Sequence, residues 1–553
     1  MQPVIALLPM DDRPVNYDYP RYLARAAGCE VYLPPREWLG NPWRDSQHTR
    51  LVDWLSQAAQ SADALIIAID TLAYGGLIPS RTSREAVEDV LERLTILRKI
   101  KTERPGLPVL ASNVILRISR ANSSEEEKDY WATYGSNMFR LSSLEHKIAV
   151  GEAEKEEISE AEQLHKSIPG EVIDDYLLGR KRNHTVNRTM LDWAAEGIFD
   201  YLLLPQDDTA DFGWNIAEAR ALQAKIRADG LTERAITYPG ADEIGCLLLA
   251  SYCCRQAGFR PRIFPRYSSV NSPQVITAYE DRPIHELLKA HLAPLNGCLA
   301  ASVEDSDLVL FFNAPCQKQG EGFYEWLAWR GIDNLKKELP ESIVQMADWL
   351  AGDKYFQNTR REMESPQRSP EEFVRAMLSE MEAGRRVALA DVAFVNGSDL
   401  VLGNLLLRHP EVAQLYAYSG WNTAGNTLGT ALAQAMIRIL AERSGNPAEQ
   451  TQAHLEFLFL RFLDDYYYQA RERTLSMIED MPALGLPSSM ERVQDSSHLA
   501  QLENLIRGRL THSAGELETL FIRSGLVKQV NISNIYLPWQ RAFEIGFDVK
   551  VTL

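Results

Sequence analysis

The sequence lacks any apolar run approaching the roughly 18 consecutive residues that a membrane-spanning helix requires. It also lacks the features of a secretory leader, because residues Met1 to Leu8 have no basic start and no small-residue cleavage site. These residues instead have the pattern of a strand. We therefore expect a cytoplasmic protein without a membrane partner.

Basic residues are scarce compared with acidic ones. The chain contains 58 Lys and Arg residues against 76 Asp and Glu residues, for a formal net charge of −18 at pH 7. Nucleic acids and anionic membranes are bound by basic surfaces. The sequence thus predicts no nucleic-acid partner, whereas a neutral or cationic ligand remains compatible with the charge.

Cysteine is also rare, with six residues among 553, and no CxxC pair is present. We interpret the cysteines as core residues of a protein in a reducing compartment. The HExxH and DxDxDG metal motifs, the glycine-rich phosphate loops and the GxSxG nucleophile motif are absent as well. The sequence therefore predicts no cofactor and no metal site.

The length indicates more than one domain, since a single hydrophobic core rarely grows so large. Nine or ten candidate strands alternate with helices, which predicts a parallel sheet that is either a closed barrel or an open doubly wound sheet. Polar residues follow nearly every strand, and this favours a (β/α)8-like barrel over residues 1–445. We expect a helical insertion at about 125–195, another insertion at 317–380, and an α-rich C-terminal domain with a small terminal β element over 446–553.

Two short apolar runs end in adjacent acids, Asp207-Asp208 and Asp242-Glu243. Neighbouring side chains of a strand point to opposite faces, so two adjacent acids share one pocket only where the strand gives way to a loop. We expect Pro205 and the Pro239-Gly240 step to end these strands. The alternative is that the acids cap the helices that follow.

Further polar and aromatic residues follow other predicted strands, and in a barrel they converge on one mouth. Carboxylates and amides bind sugar hydroxyls, aromatic rings stack on sugar rings, and paired carboxylates cleave glycosidic bonds. These candidate substrate-binding residues are Asp12, Arg13, Asp70, Tyr74, Arg81, Arg117, Asn313, Trp421, Asn422 and Asn426. They predict a small saccharide or the non-reducing end of a glycan as the ligand.

Several longer motifs occur in a fixed order. They are Leu8-Pro9 followed by Asp11 to Asn16, Tyr74 to Arg81, Gln206-Asp207-Asp208, Pro239 to Glu243, and Gly420 to Gly429. Together these motifs resemble a bacterial family catalogued as domain of unknown function 4127, over most of the chain. The family name implies no activity.

A shorter resemblance does imply an activity. Gly240 to Ile244 is similar to the Gly-x-Asp-Glu-apolar signature of β-N-acetylhexosaminidases that use substrate-assisted catalysis. Asp207-Asp208 resembles the adjacent Asp pair of the O-linked N-acetylglucosamine hydrolases, which share that mechanism. The order of the strands departs from the hexosaminidase pattern, where the Asp-Glu pair follows an earlier barrel strand.

These resemblances lead to the hypothesis of a glycosidase that releases a terminal β-linked N-acetylgalactosamine or N-acetylglucosamine with retention of configuration. Asp242 would polarise the acetamido group of the substrate, and Glu243 would act as general acid and base. Asp207 and Asp208 are the reserve pair for the same two roles.

Two alternatives remain open at this stage. A metal-dependent hydrolase or isomerase acting on a sugar-like substrate could use the same acids. A non-catalytic saccharide-binding protein is the other alternative, although crowded like charges bring little advantage to a lectin. The sequence leaves homo-oligomerisation open.

Overall fold

The computed structural model of the chain describes residues 2–330 and 353–553. Its two compact units interleave along the chain. The first unit comprises Met1–Pro20, Cys29–Leu248 and Tyr279–Asp281, and the second comprises Arg21–Gly28, Leu249–Ala278 and Arg282–Leu553. The predicted domain boundary after residue 445 stays a prediction, and residues 331–352 of the predicted 317–380 insertion lie outside the described residues.

The first unit contains a parallel sheet whose described strands lie in the order β2-β1-β3-β4-β5-β6. The inner strands are aliphatic and buried along their length, as expected where helices cover both faces of a parallel sheet. The strands are β1 (Val4–Leu8), β2 (Glu30–Tyr32), β3 (Ala64–Ala68), β4 (Val109–Ser112), β5 (Tyr201–Gln206) and β6 (Ala235–Pro239).

Helices and short helical turns connect these strands, and three long helices stand between β4 and β5. The long ones are Trp131–Val150, Lys155–Ser167 and Gly170–Ala195. The others in this part of the chain are Pro14–Tyr17, Tyr19–Ala26, Arg36–Trp38, His48–Ser61, Ile69–Tyr74, Leu77–Thr82, Val87–Leu94, Ile96–Glu103, Trp214–Ala228 and Ile244–Gln256.

The second unit contains another parallel sheet, whose described strands lie in the order β13-β11-β9-β7-β8. Its strands are β7 (Arg262–Tyr267), β8 (Cys298–Leu299), β9 (Leu308–Asn313), β11 (Val387–Asp391) and β13 (Ala417–Ser419). Two small sheets accompany it. They are the parallel pair β10 (Gly320–Glu321) with β12 (Phe394–Val395), and the antiparallel pair β14 (Gln529–Tyr536) with β15 (Gly546–Thr552).

The remaining described helices belong to this second half of the chain. An unusual one is the π-helix Phe462–Glu472, which widens the helical turn through a run of tyrosines. The others are Ser272–Gln274, Ile284–Leu292, Gly322–Arg330, Lys354–Met363, Pro370–Glu382, Leu400–Leu406, Pro410–Gln414, Ala424–Arg443, Ala448–Arg461, Arg473–Leu475, Ser476–Asp480, Met481–Ala483, Ser496–Arg523 and Pro538–Gln540.

The prediction of an α/β fold with parallel strands is confirmed. The closed (β/α)8-like barrel stays a prediction, because no strand pairing within the described residues joins the edge strands β2 and β6. Of the helices that the structure describes, none has the length and apolarity to cross a membrane.

The prediction that the Pro239-Gly240 step ends its strand is confirmed, since β6 ends at Pro239. The prediction that Pro205 ends its strand is wrong, because Pro205 lies within β5 and pairs in register with Tyr238. Strand β4 ends at Ser112 and therefore does not extend far enough to pair with Pro205. The Pro205 carbonyl instead accepts from the backbone N–H of Ile115 at 2.8 Å. A proline is tolerated where the neighbouring ladder is ending, since its missing N–H leaves few acceptors unpaired there.

The central strand β3 generates a stability prediction. Ile67 is fully buried between Leu8 of β1 and Ala111 of β4, so Ile67→Ala should leave a cavity and lower the free energy of unfolding by about 2–5 kcal/mol. The matched control is Ile148→Ala, whose side chain is 41% exposed, with an expected change within about 0.5 kcal/mol. Urea unfolding followed by circular dichroism measures both, and equal losses would contradict a buried β3.

Candidate functional site

Polar side chains lie along one edge of the first unit's sheet, where the carboxyl ends of the strands meet the loops that follow them. The first polar residue after each of β1, β3, β4, β5 and β6 is buried, and these residues are Asp11, Asp70, Asn113, Asp207 and Asp242. Because the strands are parallel, their carboxyl ends lie along the same edge, where ligands of α/β proteins bind. This edge is the candidate site.

Arg13 connects the loops that follow β1 and β6. Its guanidinium donates to Asp11 Oδ2 at 2.6 Å and to Asp242 Oδ1 at 2.5 Å. Asn16 donates to the other oxygen of Asp11 at 2.9 Å. Charge-assisted hydrogen bonds of this kind are strong, so Arg13 holds Asp242 in place rather than pointing freely at a ligand.

The Asp242-Glu243 pair is deeply enclosed. Burial raises the pKa of Asp242 despite the Arg13 charge, and Asp11 and Asp207 raise it further. Glu243 is 0% exposed, and its carboxylate folds against Gly240, where a Cβ would lie 2.5 Å from Glu243 Oε1. Gly240 also has a φ of +128°, a conformation that side chains rarely adopt. The close approach of Glu243 to the backbone therefore requires glycine at position 240.

Asp70 is a second enclosed acid. It accepts from the backbone N–H of Val114 at 2.8 Å and from the Asn113 side chain at 3.2 Å. Burial raises the pKa of Asp70 to about 7 against these hydrogen bonds, and the charge of Asp207 adds to the increase. Asp207 also raises the pKa of Asp242. The acids of β3, β5 and β6 are therefore near enough to repel one another.

Asp207 is held by an arginine from a distant part of the sequence. Arg81 donates to Asp207 Oδ2 at 2.6 Å, and its other terminal nitrogen lies 3.0 Å from Glu126 and 3.7 Å from Glu127. All four side chains are largely buried. Arg81 thus offsets the repulsion among three carboxylates.

Asp208 differs from the other acids because its side chain is 26% exposed. Its φ of +45° turns the chain out of the strand direction, so Asp208 and Asp207 are not on opposite faces of a strand. Burial of the carboxyl and the adjacent Asp207 raise the pKa of Asp208 to about 6, although Arg117 opposes this, donating to Asp208 at 3.2 Å. Asp208 can therefore carry a proton near neutral pH and still reach solvent.

A family model described as a protein of unknown function, DUF4127, matches residues 5–548. The chain belongs to the DUF4127 family. Comparison with curated proteins gives no match. The family description states no activity, so the function of this DUF4127 protein has to be argued from the chemistry of the site.

Two of the predicted site residues in the first unit have other surroundings. Asp12 forms a salt bridge with Arg44 at 2.7 Å. Tyr74 is buried, and the guanidinium of Arg182 covers its ring at 4.8 Å. Because this ring is buried and one of its faces is already covered, the position leaves the predicted stacking role of Tyr74 without support.

Four predicted binding residues of the DUF4127 chain belong to the second unit. Asn313 follows β9 and donates to Asp391 at 2.8 Å and to Asp399 at 3.2 Å. Trp421 and Asn422 lie between β13 and the helix Ala424–Arg443, whereas Asn426 lies in the first turn of that helix, and Trp421 and Asn426 are buried. The structure groups these four with the sheet of the second unit, and their binding roles stay predictions.

Sequence reasoning missed five residues of the site. Asp11 and Asn113 are the first polar residues after β1 and β4, and the strand-end rule that selected Asp70 could have found them. Asn16 donates to Asp11 from the short helix that follows. Glu126 and Glu127 lie in a glutamate-rich stretch with the composition of a solvated helix face, yet they bind Arg81 and Arg117. Nothing local distinguishes them from exposed glutamates.

The described residues contain no group of three or more His, Cys, Asp or Glu side chains arranged to hold a metal ion. The acids of the site alternate with arginines instead. The expectation of a site without metal, and the metal-dependent alternative, both stay predictions to be tested in solution.

The Arg81 contacts generate the second prediction. Arg81→Met removes the charge that offsets Asp207, Glu126 and Glu127, so we expect the free energy of unfolding to fall by about 3–5 kcal/mol, as for other broken buried ion pairs. Arg44→Met is the control, because the side chain of Arg44 is 40% exposed and its pair with Asp12 should contribute under about 1 kcal/mol. Chemical denaturation at pH 7 measures the difference, and similar losses in both variants would refute it.

Proposed function

We propose that this DUF4127 protein is a glycoside hydrolase that releases a terminal β-linked N-acetylhexosamine, either N-acetylgalactosamine or N-acetylglucosamine, with retention of configuration. The observation that supports it is the pair of adjacent acids in unequal environments, Asp207 bound to Arg81 and Asp208 partly exposed with a pKa of about 6. Two neighbouring acids in different environments have different pKa values, and this difference commonly allows one to donate a proton while the other stays ionised.

In this mechanism the acetamido oxygen of the substrate attacks its own anomeric carbon, so no enzyme nucleophile is required. Asp207 accepts from the acetamido N–H and orients the group. Arg81 contacts only Oδ2 of Asp207, which leaves Oδ1 to face the substrate. The fixed charge of Asp207 also stabilises the positive charge that develops on the acetamido group.

Asp208 is the general acid and base of the proposal. It protonates the leaving oxygen as the glycosidic bond breaks, and it then takes a proton from the water that opens the cyclic intermediate. A general acid has to touch the substrate and has to hold a proton at the working pH. The exposure of Asp208 and its raised pKa suit both requirements.

The other acid pair suits these roles less well. Glu243 is fully buried against Gly240, and Asp242 is occupied by Arg13. A carboxyl without exposed surface cannot reach a leaving oxygen unless the loop moves. We therefore assign catalysis to the pair that the sequence placed in reserve, and we assign Asp242 and Glu243 to the shape and electrostatics of the site.

The finer fold assignment belongs to the same proposal. A (β/α)8-like barrel and an open parallel sheet both present the carboxyl ends of the strands on one side. The catalytic assignment depends on that shared edge and is the same for either arrangement.

Substitution of Asp208 tests the proposal. Asp208→Asn should lower kcat/KM for 4-nitrophenyl N-acetyl-β-hexosaminides by about 10²–10⁴-fold, the usual contribution of general acid–base catalysis. A dinitrophenyl leaving group needs no proton, so it should recover part of the loss in the bond-breaking step. Stopped assays with both the galacto- and gluco-configured sugars measure these effects.

The matched control is Glu243→Gln, which should change turnover far less than Asp208→Asn, with thermal melting as a check on folding. Activity in EDTA should equal activity in buffer. The absence of turnover on either sugar refutes the proposal, a larger loss in Glu243→Gln restores the Asp242-Glu243 assignment, and loss in EDTA with recovery in Mg²⁺ or Zn²⁺ favours the metal-dependent alternative.

The pH dependence gives a separate test. The protonated form of Asp208 is the active acid, so kcat/KM should fall as the pH rises through about 6. The Arg117 charge lowers the pKa of Asp208. Arg117→Met should therefore move this basic limb to higher pH, whereas Arg140→Met, which breaks an exposed pair with Glu160, should leave it in place. If the basic limb does not move in Arg117→Met, the pH profile does not report the titration of Asp208.

A further inference from the structure

The second unit contains a buried arginine whose hydrogen-bonding capacity is mostly unused. Arg473 begins the short helix after the π-helix and is 0% exposed. One terminal nitrogen donates to the Asn396 carbonyl at 2.6 Å, while Nε and Nη1 have no hydrogen-bond partner among the described residues. Buried guanidinium groups are ordinarily paired, because an unpaired buried charge is strongly unfavourable.

Trp421 shares two neighbours with this arginine, Phe543 through its ring and Asn396 through the adjacent Asn422. Its Nε1 is buried and lacks a partner within the described residues. The Trp421 ring and the Arg473 guanidinium both lie 5.9 Å from the ring of Phe543. Asn396 also links the two, because its backbone N–H donates to the carbonyl of Asn422 at 2.9 Å. Arg473 and Trp421 thus belong to one cluster around Phe543 and Asn396.

The same cluster has an unused acceptor and an exposed rim. Gln469 donates to Asp464 at 3.0 Å, but its buried Oε1 has no partner in the described part of the chain. Gln469 and Arg473 are four residues apart and so share one face of the helix. Glu321, Asn396 and Phe543 are only partly buried, which gives a ligand access from solvent.

The charges around Arg473 favour an anion. Glu321 is close enough to influence the Arg473 guanidinium, yet it accepts from the Asn396 amide at 3.1 Å and forms no salt bridge with Arg473. Asp464 forms a salt bridge with Arg461 at 3.4 Å, so part of its charge is already compensated by that arginine. Burial raises the pKa of Glu321 to about 7, so this carboxyl is partly neutral in the physiological range and leaves the arginine charge incompletely balanced.

We propose that the second unit carries a ligand site, formed by Arg473, Trp421 and Gln469, for a small hydroxylated carboxylate such as a sugar acid. The carboxylate accepts from an unused N–H of the Arg473 guanidinium and from Trp421 Nε1, and the guanidinium charge strengthens its hydrogen bond. A ligand hydroxyl donates to Gln469 Oε1. This site is independent of the proposed glycosidase activity, since none of its donors comes from the first unit.

Calorimetric titration of the full chain at pH 8 tests the proposal, with sodium glucuronate, sodium acetate and glucose as probes. We expect glucuronate to bind, acetate to bind more weakly, and glucose to give no signal. Arg473→Met should weaken glucuronate binding at least about tenfold, because it removes a charge-assisted hydrogen bond and the positive charge beside the carboxylate. Arg471→Met is the control, since it removes the same charge from a side chain that lies over Tyr467 instead.

Two milder variants keep the test decisive if Arg473→Met does not fold. Glu321→Gln removes the nearby negative charge without changing the shape, so it should tighten glucuronate binding. Trp421→Phe removes the indole donor and should weaken it. Failure of both carboxylates to bind at millimolar concentration overturns the proposal, as does binding that is unchanged in both mild variants. If acetate and glucuronate bind equally, the carboxylate site is supported, but the proposed hydrogen bond of Gln469 to a ligand hydroxyl is refuted.

Discussion

Parallel pairing of the first unit's strands is the constraint on which the candidate site depends. Arg13 and Asp242 are separated by 229 residues and meet only because β1 and β6 end at the same edge of one sheet. The aliphatic side chains of these strands are buried on both faces of the sheet. Polar groups lie instead at the carboxyl ends of the strands. Every acid that we discuss in this unit owes its position to that arrangement.

Arginines compensate part of the negative charge of the acids that crowd the carboxyl ends of the strands. Arg13 and Arg81 each form ion pairs with carboxylates that would otherwise repel one another. The compensation is uneven. Burial and repulsion from Asp207 raise the pKa of Asp70 in spite of its hydrogen bonds, and they raise the pKa of Asp208 in spite of the nearby arginines. Unequal compensation is what allows neighbouring acids of one type to differ in protonation and therefore in chemistry.

The second unit uses the same construction with a different outcome. Its parallel strands also end in polar residues, such as Asn313 after β9 and the buried acid Asp391 at the end of β11. Here the polar groups mostly satisfy one another, as in the hydrogen bonds from Asn313 to Asp391 and Asp399. Arg473 is one exception among the described residues, because its Nε and Nη1 have no hydrogen-bond partner there.

The sequence by itself determined the α/β class, the buried parallel strands and the presence of acids after them, because strand–helix alternation and adjacent acids are local features. It also identified Asp207, Asp208, Asp242 and Glu243. Only the tertiary structure decided which of these acids meets solvent. Exposure and pKa depend on partners far away in the chain, such as Arg81, which is 126 residues from Asp207, and no local pattern records such contacts.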